Sequence, residues 1–297
     1  SMNATLIDMK DFQWTFNGNI SSNNSKILKL GQDGAPIYLG INCLGGQNAV
    51  ILREGGSVGE LYGYRAIGLY QLDEFTATES TTKPGTYTYT VKDGVPVQGV
   101  SEQPGSIKLW DKDGNGKIDD NDREVIGNFL PKFYGAFSTT FNWKSFNLYL
   151  GFQYSYGNDL YNANYAMIGF FNGDGSNQSS AWNKRWTVDN QSSRYYSQIS
   201  KGLVSSAFVE DASFLRFASA RFTYTLPNKL LARTKHVEGC KFYISADNIY
   251  TFTKYSGYDP EVGISQSSAS AILSQGFDYG NFPHARTFTF GVNLSFK

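Results

Sequence analysis

The stretch 287–296 alternates without a fault: Phe288, Phe290, Val292, Leu294 and Phe296 take every second position, with Thr287, Thr289, Gly291, Asn293 and Ser295 between them. Successive side chains of an extended strand point to opposite faces, so one face here is wholly apolar and the other small or polar. The same period returns in Phe133, Gly135, Phe137, Thr139 and Phe141. It resumes after a tight Lys144-Ser145 turn in Phe146, Leu148, Leu150, Phe152, Tyr154 and Tyr156, which makes a hairpin with long arms. Phe222, Tyr224 and Leu226 close another strand, and Cys240, Phe242, Ile244 and Ala246 open the next. Phe12, Trp14 and Phe16 lie near the start, with residues 3–9 as that strand's expected partner.

The connections between these segments alternate in length. Short ones fall near 10–11, 144–145 and 227–239, and long ones fill roughly 21–132, 157–213 and 253–286. Short turns at one end, long loops at the other and strands of about ten residues are how bacterial outer-membrane barrels are built. Taking Phe296 as the periplasmic end makes every long loop extracellular. The expected fold class is therefore all-β: an antiparallel transmembrane β-barrel segment of about seven strands, cut from a larger barrel of about 22 that encloses a plug. The alternative is a soluble or cell-surface β-sandwich binding module, of the calcium-dependent lectin or adhesin type, whose apolar faces meet in a core. Against it stand the three long loops, the tyrosines near strand ends and an alternate face rich in Ser, Thr and Asn.

Composition bears on the same choice. Charged residues make up 18% of the chain while aromatic ones reach 16%, with 22 Phe, 20 Tyr and 5 Trp, a low charge and high aromatic share for a soluble domain. Lys plus Arg equals Asp plus Glu at 26 each, so no net field draws nucleic acid. No apolar run is long enough for a spanning helix, and no signal segment opens the chain. Ser1-Met2 reads as a cloning remnant, and the chain is expected to begin partway into a larger protein. Cys43 and Cys240 stand in unrelated contexts, far from metal-ligand spacing, so a disulfide between them is unpromising.

Catalysis is not expected. The two histidines, His236 in a short turn and His284 beside the last strand, belong to opposite ends of the proposed barrel. Neither a Ser-His-Asp triad nor a His-based metal site is easily built from them. The carboxylates gather in turns rather than facing one another across strands, as a glycosidase pair would.

The sharpest chemical motif is Asp111-Lys112-Asp113-Gly114-Asn115-Gly116-Lys117-Ile118-Asp119-Asp120-Asn121-Asp122. Asp111, Asp113, Asn115, Asp119 and Asp122 put oxygen ligands at loop positions one, three, five, nine and twelve, Gly116 takes the sharp turn at six, and Lys117 offers its backbone carbonyl at seven. A hard cation such as Ca²⁺ requires that set. Position twelve is Asp122 rather than the longer Glu, and Pro104-Gly105-Ser106-Ile107 before and Val125-Ile126-Gly127 after do not read as helices. The expectation is a structural Ca²⁺ that stiffens a loop, with Ile118 anchoring it to packed neighbours; the alternative is a solvated Asp/Asn/Gly turn without metal.

Three further runs, Val209-Glu210-Asp211-Ala212-Ser213-Phe214-Leu215-Arg216, Tyr224-Thr225-Leu226-Pro227, and Asp247-Asn248-Ile249-Tyr250 through Tyr258-Asp259-Pro260-Glu261-Val262, stand in one order along the chain. They resemble the signature stretches of the SusC/RagA family of TonB-dependent outer-membrane transporters of Bacteroidetes. Gly59-Glu60-Leu61-Tyr62-Gly63-Tyr64 with Gly68-Leu69, and the Arg185-Trp186 pair, are similar to earlier pieces of that family, so the likeness runs over nearly the whole chain. Lys297 departs from it, because such barrels commonly finish on an aromatic, here the penultimate Phe296. The resemblance implies that residues 1–297 are the C-terminal part of the barrel, that 21–132 is an extracellular region carrying the calcium-type loop, and that the N-terminal plug is absent. It implies import of a glycan, oligosaccharide or peptide nutrient across the outer membrane of a Gram-negative cell. Outer-membrane lipid would surround the barrel, TonB would act through the missing part, and a SusD-like lipoprotein would close the outer mouth.

Read physically, Asp259-Pro260-Glu261 is first a turn, since Pro fixes φ and Asp caps neighbouring backbone. Glu210, Asp211 and Arg216, with Ser213 and Phe214 between them, read as solvated or lumen-facing charges at a strand start. The loop aromatics Tyr161, Tyr165, Phe170, Phe171, Trp182, Trp186, Tyr195 and Tyr196 are expected to pack the loops more often than to stack on a sugar.

Overall fold

The computed structural model describes residues 1–99, 102–168, 179–197, 203–232, 236–262 and 275–296. Seven strands form one wall: β1 (Met2–Met9), β2 (Phe12–Ser21), β3 (Phe133–Trp143), β4 (Phe146–Tyr156), β5 (Phe214–Thr225), β6 (Val237–Thr253) and β7 (Thr287–Phe296). Their order in space is their order in the chain, and every pair is antiparallel. Lys10-Asp11 joins β1 to β2, and Lys144-Ser145 joins β3 to β4, with Lys144 at φ 53 in the tight turn. The long connections all leave from the opposite end, as a wall of alternating up and down strands requires.

Register sorts the side chains into two faces. Phe137 pairs with Gly18 and Phe152, and Phe152 pairs with Phe217, so the rings of β3, β4 and β5 share one face. Phe137 and Phe152 stack at 4.9 Å between ring centroids and Phe152 and Phe217 at 4.8 Å, continuing the contact of Phe16 with Phe137 at 6.3 Å. Such stacking adds about 0.5–1.5 kcal/mol per pair beyond the area buried. This face stays open: Phe290 is 73% exposed and Phe242 45%, part of an apolar surface too extensive to face water. The opposite face carries Gln13, Thr15, Asn17 and Asn19 on β2, Ser138, Thr140 and Asn142 on β3, and Asn147, Gln153 and Ser155 on β4. Carboxamides bridge its strands, with Asn147 Nδ2 donating to Asn142 Oδ1 at 2.6 Å and Asn142 Nδ2 to Gln13 Oε1 at 3.3 Å.

One irregularity sets up the site described below. Between Phe217↔Tyr250 and Ser219↔Asp247 the register of β5 and β6 shifts, and Asn248 takes φ 51 there, with its Nδ2 donating to the Ala285 carbonyl. Asn tolerates the left-handed region better than a branched residue, and a bulge of this kind shifts the alternation. On the long-loop side of it Arg216 and Thr251 share the polar face, and below it Ser219 and Asp247 do.

The packed core lies in the long connections rather than in the wall. A four-stranded sheet runs in the order Arg123–Asn128, Glu60–Tyr64, Gln47–Leu52, Ile37–Ile41, and a three-stranded one joins Val209–Asp211, Asp159–Asn162 and Phe277–Asp278. Val50, Leu61, Leu109, Tyr161, Trp182, Tyr196, Phe208 and Phe277 are buried together between these layers. Gly63 needs its missing side chain: a Cβ there would lie 2.4 Å from the Val204 carbonyl oxygen, and Tyr64 N–H donates to that same oxygen at 2.8 Å. Among the described residues no helix is long and apolar enough to cross a membrane.

Candidate functional site

Arg216 is the hub of the outer end of the wall. It sits on the polar face of β5, opposite Gln153 of β4 and Thr251 of β6, and is only 2% exposed. Its Nε donates to Thr251 Oγ1 at 3.1 Å, Nη1 to Glu261 Oε2 at 2.6 Å and Nη2 to Asp259 Oδ1. Asp259, itself buried, also accepts the Glu261 N–H at 3.0 Å, the His284 N–H at 3.2 Å and His284 Nδ1 at 2.8 Å. Burial alone would push the Asp259 carboxyl up. The His284 side chain, the Glu261 and His284 amides and the Arg216 charge outweigh it and hold the carboxyl below its usual range.

Of the two readings expected for Arg216, solvated or lumen-facing, the first is corrected: the residue lies on the polar face of the wall, but the segment after β6 folds over it and pairs it, so it is buried rather than solvated. Asp259-Pro260-Glu261 is a turn whose two acids close on one guanidinium. His284, at the other end of the same connection, completes the cluster. Nothing in the spacing of Arg216, Thr251 and His284 announces that meeting, because it depends on where two strand ends fall in the wall.

Two more carboxylates stitch the connections together. Glu210 accepts from Asn162 Nδ2 at 2.9 Å and from the N–H and Oγ of Ser256 at 2.8 and 2.7 Å. Asp278, 1% exposed, accepts from Tyr255 Oη at 2.6 Å and Asn164 Nδ2 at 3.0 Å. Asp211 accepts from both the Oγ and the N–H of Ser213, and the hydroxyl contact is the main cause of its lowered pKa. Phe214 lies under the guanidinium of Arg216 at 5.2 Å. Glu210 is marked in sequence by its signature run but its partners are not, and Asp278 is not marked at all, since the partners of both come from distant segments.

In the acidic loop, Asp111, Asp113 and Asp122 bring carboxylate oxygens within 4.8 Å of one another. Asp111 accepts the N–H groups of Gly114, Asn115 and Gly116, which wraps the turn around it. Asp122 is fully buried and accepts from Lys112 and Asp119 N–H groups. Asn115 Oδ1 accepts the Lys117 N–H at 2.7 Å. Asp119 lies outside the group of three, and its Oδ1 caps the following turn through Asn121 N–H. Ile118 is in the loop core and its N–H bonds to the Val97 carbonyl, as an anchor should. Gly114 and Gly116 take φ 75 and φ 80. Arg123, next in the chain, stacks on Tyr62 at 4.6 Å and ties the loop to the strand Glu60–Tyr64.

Of the loop aromatics, Tyr161, Trp182, Trp186 and Tyr196 are buried, and Tyr165 and Tyr195 pack against the same core. Trp186 Nε1 donates to Gln71 Oε1 at 3.2 Å. Packing is their role here, while Phe170, Phe171 and Lys297 lie outside the described residues. Cys43 and Cys240 are both free, and burial pushes the Cys43 thiol up to about 11.

No protein-family model matches the chain. The TonB-dependent receptor P3 of Formosa agariphila is 31% identical over 302 residues, an alignment that covers 100% of this chain and 28% of the receptor. The TonB-dependent receptor SusC of Bacteroides thetaiotaomicron is 24% identical over 305 residues, covering 100% of this chain and 26% of its own length. The RagAB peptide importer in its open-open state has the same fold, with a TM-score of 0.69 at 24% identity over 99% of this chain and 28% of that one. The chain thus spans little more than a quarter of the curated receptors it matches. Along its whole length the chain is similar in sequence to TonB-dependent receptors, SusC among them, and in fold to the RagAB importer, as a segment of a barrel wall with its long connections.

Proposed function

We propose that the chain is part of an outer-membrane importer, in which it supplies wall strands that lipid surrounds and long connections that form the extracellular mouth. The observation that carries this reading is the two-faced wall: stacked aromatic rows on one side, and Asn, Gln, Ser and Thr on the other. Lipid suits the first face and a water-filled lumen the second. In this reading a TonB-type partner drives import through the remainder of the protein, and a SusD-like lipoprotein closes over the mouth. The cargo is a glycan or a peptide, and the chain performs no catalysis.

The acidic loop fits a bound Ca²⁺. Asp111, Asp113 and Asp122 crowd three negative charges together, and no Lys or Arg forms a salt bridge with any of them among the described residues. Asn115 and the Lys117 carbonyl complete a set of hard oxygen donors, with Asp119 acting through its place in the next turn. The ion would be structural, holding the mouth rigid for the lid.

The direct experiment is affinity isolation of the full-length receptor from outer membranes of its own cells. The reading expects a lipoprotein to co-purify and deletion of the receptor gene to remove uptake of a nutrient. A receptor that fractionates with soluble protein, with no lipoprotein attached, contradicts it.

A further inference from the structure

The acidic loop holds a reactive dipeptide. Asn115-Gly116 is exposed, and Gly116 takes φ 80 with open space where a side chain would stand. An asparagine before glycine can react with its own chain: the glycine amide nitrogen attacks the carboxamide carbon, and glycine has no β-carbon to hinder the approach. The same dipeptide at Asn17-Gly18 lies within β2, where β1 and β3 pair with it on both sides and hold its backbone extended. Asn172-Gly173 lies outside the described residues.

The hydrogen bonds around Asn115 supply what that acyl transfer needs. Gly116 N–H donates to Asp111 Oδ2 at 2.7 Å, so a carboxylate stands at the nucleophilic nitrogen to take its proton. Lys117 N–H donates to Asn115 Oδ1 at 2.7 Å, the oxygen on which negative charge develops as the carbon is attacked. Asn115 Nδ2, the leaving group, donates to Asp113 Oδ2 at 3.0 Å. The Asn115 N–H is itself held by Asp111 Oδ1 at 3.2 Å and Asp113 Oδ1 at 3.1 Å, which fixes the backbone beside the reacting atoms. A free peptide must find this arrangement by chance, whereas the folded loop has it in place.

We infer that Asn115 is a self-modifying residue, deamidated by the loop that carries it. The bond from Gly116 N to Asn115 Cγ forms, the bond from Cγ to Nδ2 breaks, and ammonia leaves with the Gly116 amide proton, passed on by Asp111. Water, the sole co-reactant, then opens the five-membered imide at either carbonyl. Opening at Cγ gives aspartate, and opening at the main-chain carbonyl carbon gives isoaspartate, whose chain runs through Cβ and Cγ. Aspartate adds a negative charge beside Asp111 and Asp113. Isoaspartate adds a methylene to the main chain just before Gly116 and Ile118, whose backbone bonds to Val97 tie the loop down. The inference requires neither a bound cation nor the import reading.

The test is peptide mass spectrometry on the full-length receptor, aged in detergent at neutral pH with a calcium chelator present throughout. Fragmentation that separates aspartate from isoaspartate follows both products at Asn115. The inference expects Asn115 in the folded receptor to convert at least about threefold faster than the same asparagine in a synthetic peptide of residues 109–122, and at least about tenfold faster than Asn17. Asp111→Asn, which keeps a hydrogen-bond acceptor but no base, should bring the rate at Asn115 down to that of the peptide or below. A folded loop that converts no faster than the peptide overturns the inference, because an ordinary Asn-Gly pair then explains the reaction. An Asp111→Asn receptor that converts as fast as wild type, or faster, overturns it as well.

Discussion

Replacing Arg216 by Met should loosen the connection after β6 without unfolding the wall. The guanidinium makes charge-assisted bonds to Asp259 and Glu261 and a third to Thr251, at a position only 2% exposed. Removing one partner of a buried ion pair costs about 3–5 kcal/mol, because the other charge is left without compensation. Asp259 keeps three donors, the Glu261 and His284 amides and His284 Nδ1, and Glu261 can turn to solvent. The loss therefore belongs at the low end, about 3 kcal/mol, or roughly a hundredfold more frequent local opening. Hydrogen exchange on the full-length receptor reads this directly. Protection of the amides of 255–262 should fall about a hundredfold while those of 146–156 hold, a local opening of the kind exchange resolves. Adding Asp259→Asn and Glu261→Gln to Arg216→Met should recover a large part of the loss. Unchanged protection in the single variant, or no recovery in the triple one, would refute the hub.

Other outcomes follow from the same geometry. Calcium at a hundred times its dissociation constant should stabilise the mouth by about 2.7 kcal/mol, seen as slower proteolysis of 103–128, and Asp111→Asn with Asp113→Asn should abolish the difference between calcium and chelator. Asp259 has a folded pKa below its unfolded value, so its stabilising effect is complete above about pH 4 and is lost as pH falls through the lower folded value. An acid titration of exchange at 255–262 should show that loss in wild type and not in Asp259→Asn. Gly63→Ala forces a Cβ to within 2.4 Å of the Val204 carbonyl oxygen and should cost about 1–3 kcal/mol by overpacking, measured as a lower temperature for release of the loop layer to protease.

The wall was legible in sequence where alternation runs unbroken. β3, β4 and β7 appear in full, because every second residue from Phe133 to Trp143, from Phe146 to Tyr156 and from Phe288 to Phe296 keeps one face. β5 was visible only from Phe222 onward. The register shift between Phe217 and Ser219 moves its outward residues from odd to even positions, so the pattern stops matching its own beginning. The short strands of the long connections left no periodic trace, since their pairing and burial are set by tertiary neighbours rather than by a half-exposed face. The acidic loop was readable because the spacing of its acids is local. The Arg216 cluster was not, since its members come from four segments and meet only after the bulge at Asn248 aligns Arg216 with Thr251.

The central claim is that the aromatic face of the wall meets lipid. Single cysteines placed at 136–141 along β3 of the full-length receptor, each carrying a fluorophore, can be tested in bilayers containing brominated lipid. Strong quenching at 137, 139 and 141 and little at 136, 138 and 140 is the predicted result. Equal quenching along the strand, or none at any position, would contradict it and return the apolar face to a protein core.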